Sequence, residues 1–175
     1  MKKINDIALS SMASGRDEWE CLDRIDRKIL NILQKNNQIT NLTLADKVGL
    51  SAPPCFRRVK RLREMGVIAK DVSLVDPFKI GPHLIVFVNI TLEKQREDLL
   101  AHFERKMLEQ PEVMQCYFVS GDTDYFLIVH VADMNHYNEF SRRVFANEGN
   151  IKMFRSSFCI NRIKYNTHIY LPEAE

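Results

Sequence analysis

Three observations predict an α+β fold in two parts. Apolar residues recur at helical steps from Leu22 to Leu62; beyond Lys70 they alternate in runs at period two; and the charge changes sign at the same boundary. Residues 22–70 hold 11 basic and 4 acidic side chains, whereas residues 71–175 hold 11 and 15, so the overall +2 conceals a basic segment joined to an acidic one. These breaks divide the chain into a tail over residues 1–21, expected to be mobile, a helical unit over 22–70 and a mixed domain over 71–175.

In the helical unit, Leu22, Ile25, Ile29, Ile32 and Leu33 form a stripe at helical spacing, and Asp23 is placed to cap its start. The spacing predicts a helix to about Gln34. Thr43 and Asp46 fit a capping box opening a second helix through Leu44, Ala45 and Val48, which Gly49 ends. Ser51 is expected to cap a third helix, whose first turn tolerates Pro53 and Pro54 because N–H groups there lack intrahelical partners anyway. On that helix Cys55, Val59 and Leu62 share one face, and Pro53, Arg57, Lys60 and Arg61 lie on or near the opposite one. Gly66 closes it and Val67 to Ala69 leads out extended. Three short helices with a tight turn before a basic third one make a helix-turn-helix unit, here of the winged class. Its third helix suits the major groove of double-stranded DNA, where Lys and Arg neutralise phosphates and Arg also reads guanine.

The mixed domain begins with strand-like residues at Val72 and Leu74, then a stronger run from Leu84 to Leu92. Helical spacing returns over residues 95–109 through Leu99, Leu100, Phe103 and Met107. Val113 to Ser120 and Tyr125 to Ala132 alternate around the turn Gly121 to Asp124, reading as a hairpin. Asp133 is placed to cap a second helix carrying Tyr137, Phe140, Val144 and Phe145, and a last strand is expected between Phe154 and Leu171. The order is the ferredoxin-like βαββαβ arrangement, with both helices on one face of an antiparallel sheet. The other face reads as largely apolar, which predicts pairing with a second copy of the chain.

The remaining patterns exclude more than they suggest. Cys21, Cys55, Cys116 and Cys159 are widely separated, with no metal-ligand or redox spacing, so neither a metal nor a cofactor is expected. The longest apolar stretches fall far short of a membrane span, and the N-terminus has no clear cleavage site; the expected location is the cytoplasm. No base–nucleophile pair or phosphate loop marks an enzyme, and no catalytic residue is assigned.

Three motifs, LDRIDRKIL at 22–30, VGLSAPPCFRRVKRLREMGVI at 48–68 and VSGDTDYFLIVHVADM at 119–134, resemble the Lrp/AsnC family, the feast/famine transcription regulators, in its leucine-responsive branch. The resemblance covers about Leu22 to Leu171. It implies a helix-turn-helix that binds DNA, and the residues expected to make the contacts there are Ser51, Pro53, Pro54, Arg57, Arg58, Lys60 and Arg61. It also implies a sensor domain that binds a free amino acid, leucine or another small apolar one, between dimers that assemble further, often to an octamer. SGDTDY matches the family's effector loop at Gly121, Asp122, Asp124 and Tyr125, and Ser156 and Ser157 lie near its other effector contacts. The chain departs from many relatives at Pro53, where they carry a hydroxyl side chain and proline has no donor. Read from spacing alone, Gly121 to Asp124 equally suits a plain hairpin turn. Two functions therefore stand side by side: a regulator modulated by an amino acid, and an architectural protein of the nucleoid without a small-molecule effector.

Overall fold

The computed structural model describes residues 22–172; the tail expected over residues 1–21 lies outside them. Two compact units divide the described chain, one holding residues 22–73 with 165–172, the other residues 74–164.

The first unit is built on three helices, α1 (Arg24–Leu33), α2 (Asn41–Val48) and α3 (Ala52–Glu64). Asp23 caps α1 as expected, and Asp26 returns a bond to the Asp23 N–H, closing a capping box made of two aspartates. The second helix is capped three residues before the expected Thr43. Thr40 is its cap, and the Thr43 N–H that would have begun a new helix instead donates to the Thr40 hydroxyl at 3.2 Å. Gly49 ends α2 at φ +75°, a conformation that costs other residues a Cβ clash, and this allows the sharp turn into α3. Ser51 precedes α3 but makes no side-chain cap bond. Such a bond needs the N–H of the second or third helical residue, and these are Pro53 and Pro54, which have none. Ile29, Leu30, Leu44, Ala45, Val48, Cys55, Val59 and Leu62 form the core, each large aliphatic side chain there contributing about 1.5–3 kcal/mol by burial.

The second unit runs β1 (Leu84–Leu92), α4 (Glu97–Leu108), β2 (Val113–Phe118), β3 (Tyr125–Val131), α5 (Met134–Ser141) with a π-helical continuation Arg142–Ala146, and β4 (Ile151–Phe158). The strands form one antiparallel sheet in the order β2-β3-β1-β4, the expected ferredoxin-like topology. Val86, Val88, Ile90 and Leu92 of β1 and Tyr125, Leu127, Val129 and Val131 of β3 alternate onto one face. They are buried there with Phe103, Met107, Tyr137, Phe140, Val144 and Phe145 from the helical segments.

The opposite face is less uniformly apolar than expected. Its centre is Ile85, Phe87, Phe126 and Ile128, with the Phe87 and Phe126 rings stacked 6.0 Å apart, but Asn89, His130, Gln115 and Arg155 share it by register. His130 and His83 hydrogen-bond ring to ring at 3.1 Å. Burial, then the neighbouring His83 and Arg162, hold the His130 pKa below the usual imidazole value. A folded-state pKa depressed in this way means that the unfolded chain takes up the proton first. Stability of this unit is therefore expected to decline as pH falls below the ordinary histidine range, and His130→Gln should flatten that decline in melting curves taken across pH 5–8.

One expected strand is not formed, and another ends earlier than expected. Val72 and Leu74 lie in an unpaired segment and are exposed, although the outer edges of β2 and β4 remain open. The last strand ends at Phe158 instead of extending toward Leu171. Phe158 pairs with Val86 and the Cys159 N–H with the Ile85 carbonyl, close to the beginning of β1, so further residues have no partner. The chain then returns to the helical unit. There Asn31 donates to the Leu171 carbonyl at 2.8 Å, and Gln34 both accepts from the Ile169 N–H at 2.8 Å and donates to its carbonyl at 3.0 Å.

Candidate nucleic-acid interface and ligand loop

Helix α3 buries Cys55, Val59 and Leu62 and turns Pro53, Phe56, Arg57, Lys60 and Glu64 outward. Lys60 lies 3.7 Å from Glu64, a solvent-exposed pair of little energetic weight. Arg57 enters no ion pair among the described residues. The arginines at 58 and 61, expected on the DNA side, instead reach back to α1. Arg58 binds Asp23 at 2.5 Å and Asp26 at 2.9 Å, and Arg61 pairs with Asp26. Ser51 is exposed and Pro54 partly buried at the turn into the helix.

Phe56 escaped the sequence reading, which took the face as purely basic. It is 57 % exposed beside Arg57. An aromatic ring next to a free cation suits a groove in which thymine presents a methyl group and guanine two acceptors. The signal was available, since Phe56 falls outside the Cys55–Val59–Leu62 stripe.

Partial burial pushes the Asp23 pKa up, but bonds from the Asp26 N–H and the Arg58 guanidinium outweigh it and leave the carboxyl below the usual aspartate range. A carboxylate with a depressed pKa contributes stability above its unfolded value and loses it as pH falls through the folded one. The helical unit should therefore lose stability as pH falls from the ordinary aspartate range through the lower folded value, and Asp23→Asn should remove part of that pH dependence in circular dichroism.

The loop between β2 and β3 holds the other expected site. Gly121 sits at φ +121°, a conformation open to glycine, and Asp122 is exposed. Asp124 is only 6 % exposed, and its carboxylate accepts from the Leu92 N–H at 2.6 Å and from the Gln95 side-chain amide. Its backbone adds bonds to the Ile90 carbonyl and from the Val119 N–H. Asp124 thus ties the loop to the end of β1. Tyr125 is buried against Phe103 and Phe118, and its hydroxyl donates to Glu104 at 2.9 Å. Burial first, then that bond, raise its pKa well above the usual phenol value, so it stays protonated.

Ser156 and Ser157 do not join this loop within the chain. They stand on β4, separated from β3 by β1, and as neighbours in a strand they point to opposite faces. Ser156 lies opposite Val88 on the helix side and hydrogen-bonds the Tyr137 hydroxyl, whereas Ser157 lies opposite Phe87 on the open face.

With this geometry in view, residues 22–69 match a model of winged helix-turn-helix DNA-binding domains, and residues 85–169 match the Lrp/AsnC ligand binding domain. The chain belongs to the Lrp/AsnC family. The leucine-responsive regulatory protein of Escherichia coli is 42 % identical over 130 residues, covering 74 % of this chain and 77 % of that protein. An AsnC family transcriptional regulator from Agrobacterium tumefaciens is 41 % identical with a TM-score of 0.80, covering 85 % of this chain and 96 % of that one. A transcriptional regulator of Neisseria meningitidis, solved as a complex with L-methionine, is 33 % identical with a TM-score of 0.79, covering 86 % and 96 %. As an Lrp/AsnC protein this chain is a transcriptional regulator and not an enzyme, with α2, the Gly49 turn and α3 as its helix-turn-helix and the βαββαβ unit as its ligand-binding domain. No helix among the described residues is long and apolar enough to cross a membrane.

Proposed function

We propose that the protein binds double-stranded DNA sequence-specifically through the outer face of α3, and that a small amino acid held by the βαββαβ unit adjusts that binding. The outward cluster of Phe56, Arg57 and Lys60 carries the first half of this reading, because it combines apolar and cationic contacts on the face of α3 opposite its buried Cys55, Val59 and Leu62. Ser51, Pro53 and Pro54 lie at the N-terminal end of α3, where the helix dipole favours a phosphate and the exposed Ser51 hydroxyl can donate to it, the two prolines offering packing contacts and no N–H. For the second half, the Neisseria relative's complex with L-methionine supports an amino acid as the ligand class, leucine or another small apolar one. Within the loop, Gly121 and Asp122 are the exposed positions fit to meet a ligand, while Asp124 and Tyr125 shape the loop from behind. Melting the protein with each of the twenty amino acids tests this. A ligand present at 100 times its dissociation constant should add about 2.7 kcal/mol and raise the melting temperature. No shift with any of them would leave the architectural reading, which the internal bonds of Asp124, Tyr125 and Ser156 favour because each of these side chains already has a partner.

We further propose a homodimer through the open sheet face, with further assembly, to an octamer, bringing the amino-acid sites between dimers. The apolar centre at Phe87, Phe126 and Ile128 supports it, being a patch that water leaves costly. Sedimentation of the full chain at micromolar concentration should return at least twice 20.5 kDa. A 20.5 kDa species would contradict the pairing.

A further inference from the structure

Asp26 is wholly buried, yet it stands on the α1 face that carries Ile25, Ile29 and Leu30. Its two oxygens take different arginines of α3, Oδ1 from Arg58 at 2.9 Å and Oδ2 from Arg61. Its own N–H donates to Asp23 Oδ1 at 2.8 Å, and the other Asp23 oxygen meets the same Arg58 nitrogen at 2.5 Å. A carboxylate removed from water persists only when paired and hydrogen-bonded, and this one meets both conditions with groups three residues apart on a single helix.

The buried stripe Cys55, Val59 and Leu62 sets which face of α3 turns inward, but burial is non-directional and holds the finer rotation about the axis only loosely. Guanidinium–carboxylate pairs have a preferred geometry and do fix it. We infer that Asp26 is a positioning residue for DNA recognition, and that Arg58 and Arg61 act by anchoring the rotation of α3 to it rather than by touching DNA. Anchored in this way, α3 presents Phe56, Arg57 and Lys60. The inference rests on the reading that this face enters the groove. It also reassigns the basic helix: Arg63 pairs with Asp71 at 3.1 Å, so of the five basic side chains between 57 and 63, Arg57 and Lys60 are the two that meet no carboxylate outside α3 among the described residues.

The test has a sign that a purely structural role does not share. Full-length wild type, Asp26→Asn, Arg61→Gln, Lys60→Gln and Arg57→Ala are titrated by anisotropy against a duplex selected from a random pool and against its scrambled counterpart, at several salt concentrations. Asp26→Asn removes a negative charge and releases two guanidinium groups. Its affinity for the scrambled duplex should rise and its salt slope should steepen by about 0.9 for each arginine that finds a phosphate. Its preference for the selected duplex should fall about tenfold, the worth of one good base contact. A role in stability alone would lower affinity for both duplexes together, in proportion to the unfolded fraction. Arg61→Gln should lose preference with an unchanged salt slope, whereas Lys60→Gln should lower the slope by about 0.9, and these two carry the test if Asp26→Asn does not fold. A slope that drops equally in Arg61→Gln, or a folded Asp26→Asn with unaltered preference, would overturn the inference. If Arg57→Ala and Lys60→Gln change nothing, the groove-facing reading itself fails and the anchoring role falls with it.

Discussion

Replacing Arg57 with alanine is expected to weaken binding to a selected duplex roughly 5- to 150-fold, the equivalent of about 1–3 kcal/mol for a bidentate contact to a guanine edge. Arg57 is exposed on the outer face of α3 and enters no ion pair among the described residues, so its guanidinium is available without breaking an internal bond. For the same reason the substitution should leave stability within about 0.5 kcal/mol. Anisotropy titration paired with thermal melting separates the two effects. A loss of affinity that merely tracks a loss of stability would mean that Arg57 supports the helix instead of reading DNA.

Asp124→Ala should have the largest effect on stability. The carboxylate is buried and accepts two bonds, so its removal strands the Leu92 N–H away from water, whereas the amide of the exposed Gln95 turns to solvent. At about 3 kcal/mol for a lost charge-assisted bond and a stranded donor, the melting temperature of this unit should fall by roughly 12–24 °C. Asp124→Asn should be milder, because asparagine still accepts from the Leu92 N–H and Gln95 can turn its amide oxygen toward the new NH2 group. Differential scanning calorimetry of both variants checks the order. Equal melting temperatures for wild type and Asp124→Ala would show that these bonds do not hold the loop.

The helical unit was legible in the sequence because its apolar stripe, its Asp23 cap and the Gly49 turn are local signals that read the same way alone or in the fold. Ser51 shows where local reading stops: it has the residue type of a cap, but the two prolines after it remove the donors a cap needs. The ferredoxin-like order was legible from period-two runs, whereas the end of β4 was not. Where a strand stops depends on where its partner begins, and Leu84 is 74 positions before Phe158. The site was partly legible. Sequence placed Arg57 and Lys60 on the outer face but also counted Arg58 and Arg61, since the spacing of basic residues on α3 does not reveal a buried carboxylate on α1. Asp26 at three residues from Asp23 was visible as a motif but not as a partner for α3. Asp124 reads as a turn residue and Tyr125 as the first residue of a strand in sequence, and both lie inside the unit in the structure, while Ser156 and Ser157, adjacent in sequence, face opposite sides of the sheet.

The central claim joins two activities, DNA binding by α3 and amino-acid binding by the βαββαβ unit, into one regulator. The most direct measurement is the affinity of the full-length protein for its selected duplex with and without the amino acid that raises its melting temperature. A regulator should show a shift in DNA affinity of roughly 5- to 150-fold in either direction, the usual span of coupling between two sites, and by linkage the duplex should shift the amino acid's affinity by the same factor. An amino acid that stabilises the protein yet leaves DNA affinity unchanged would contradict the claim.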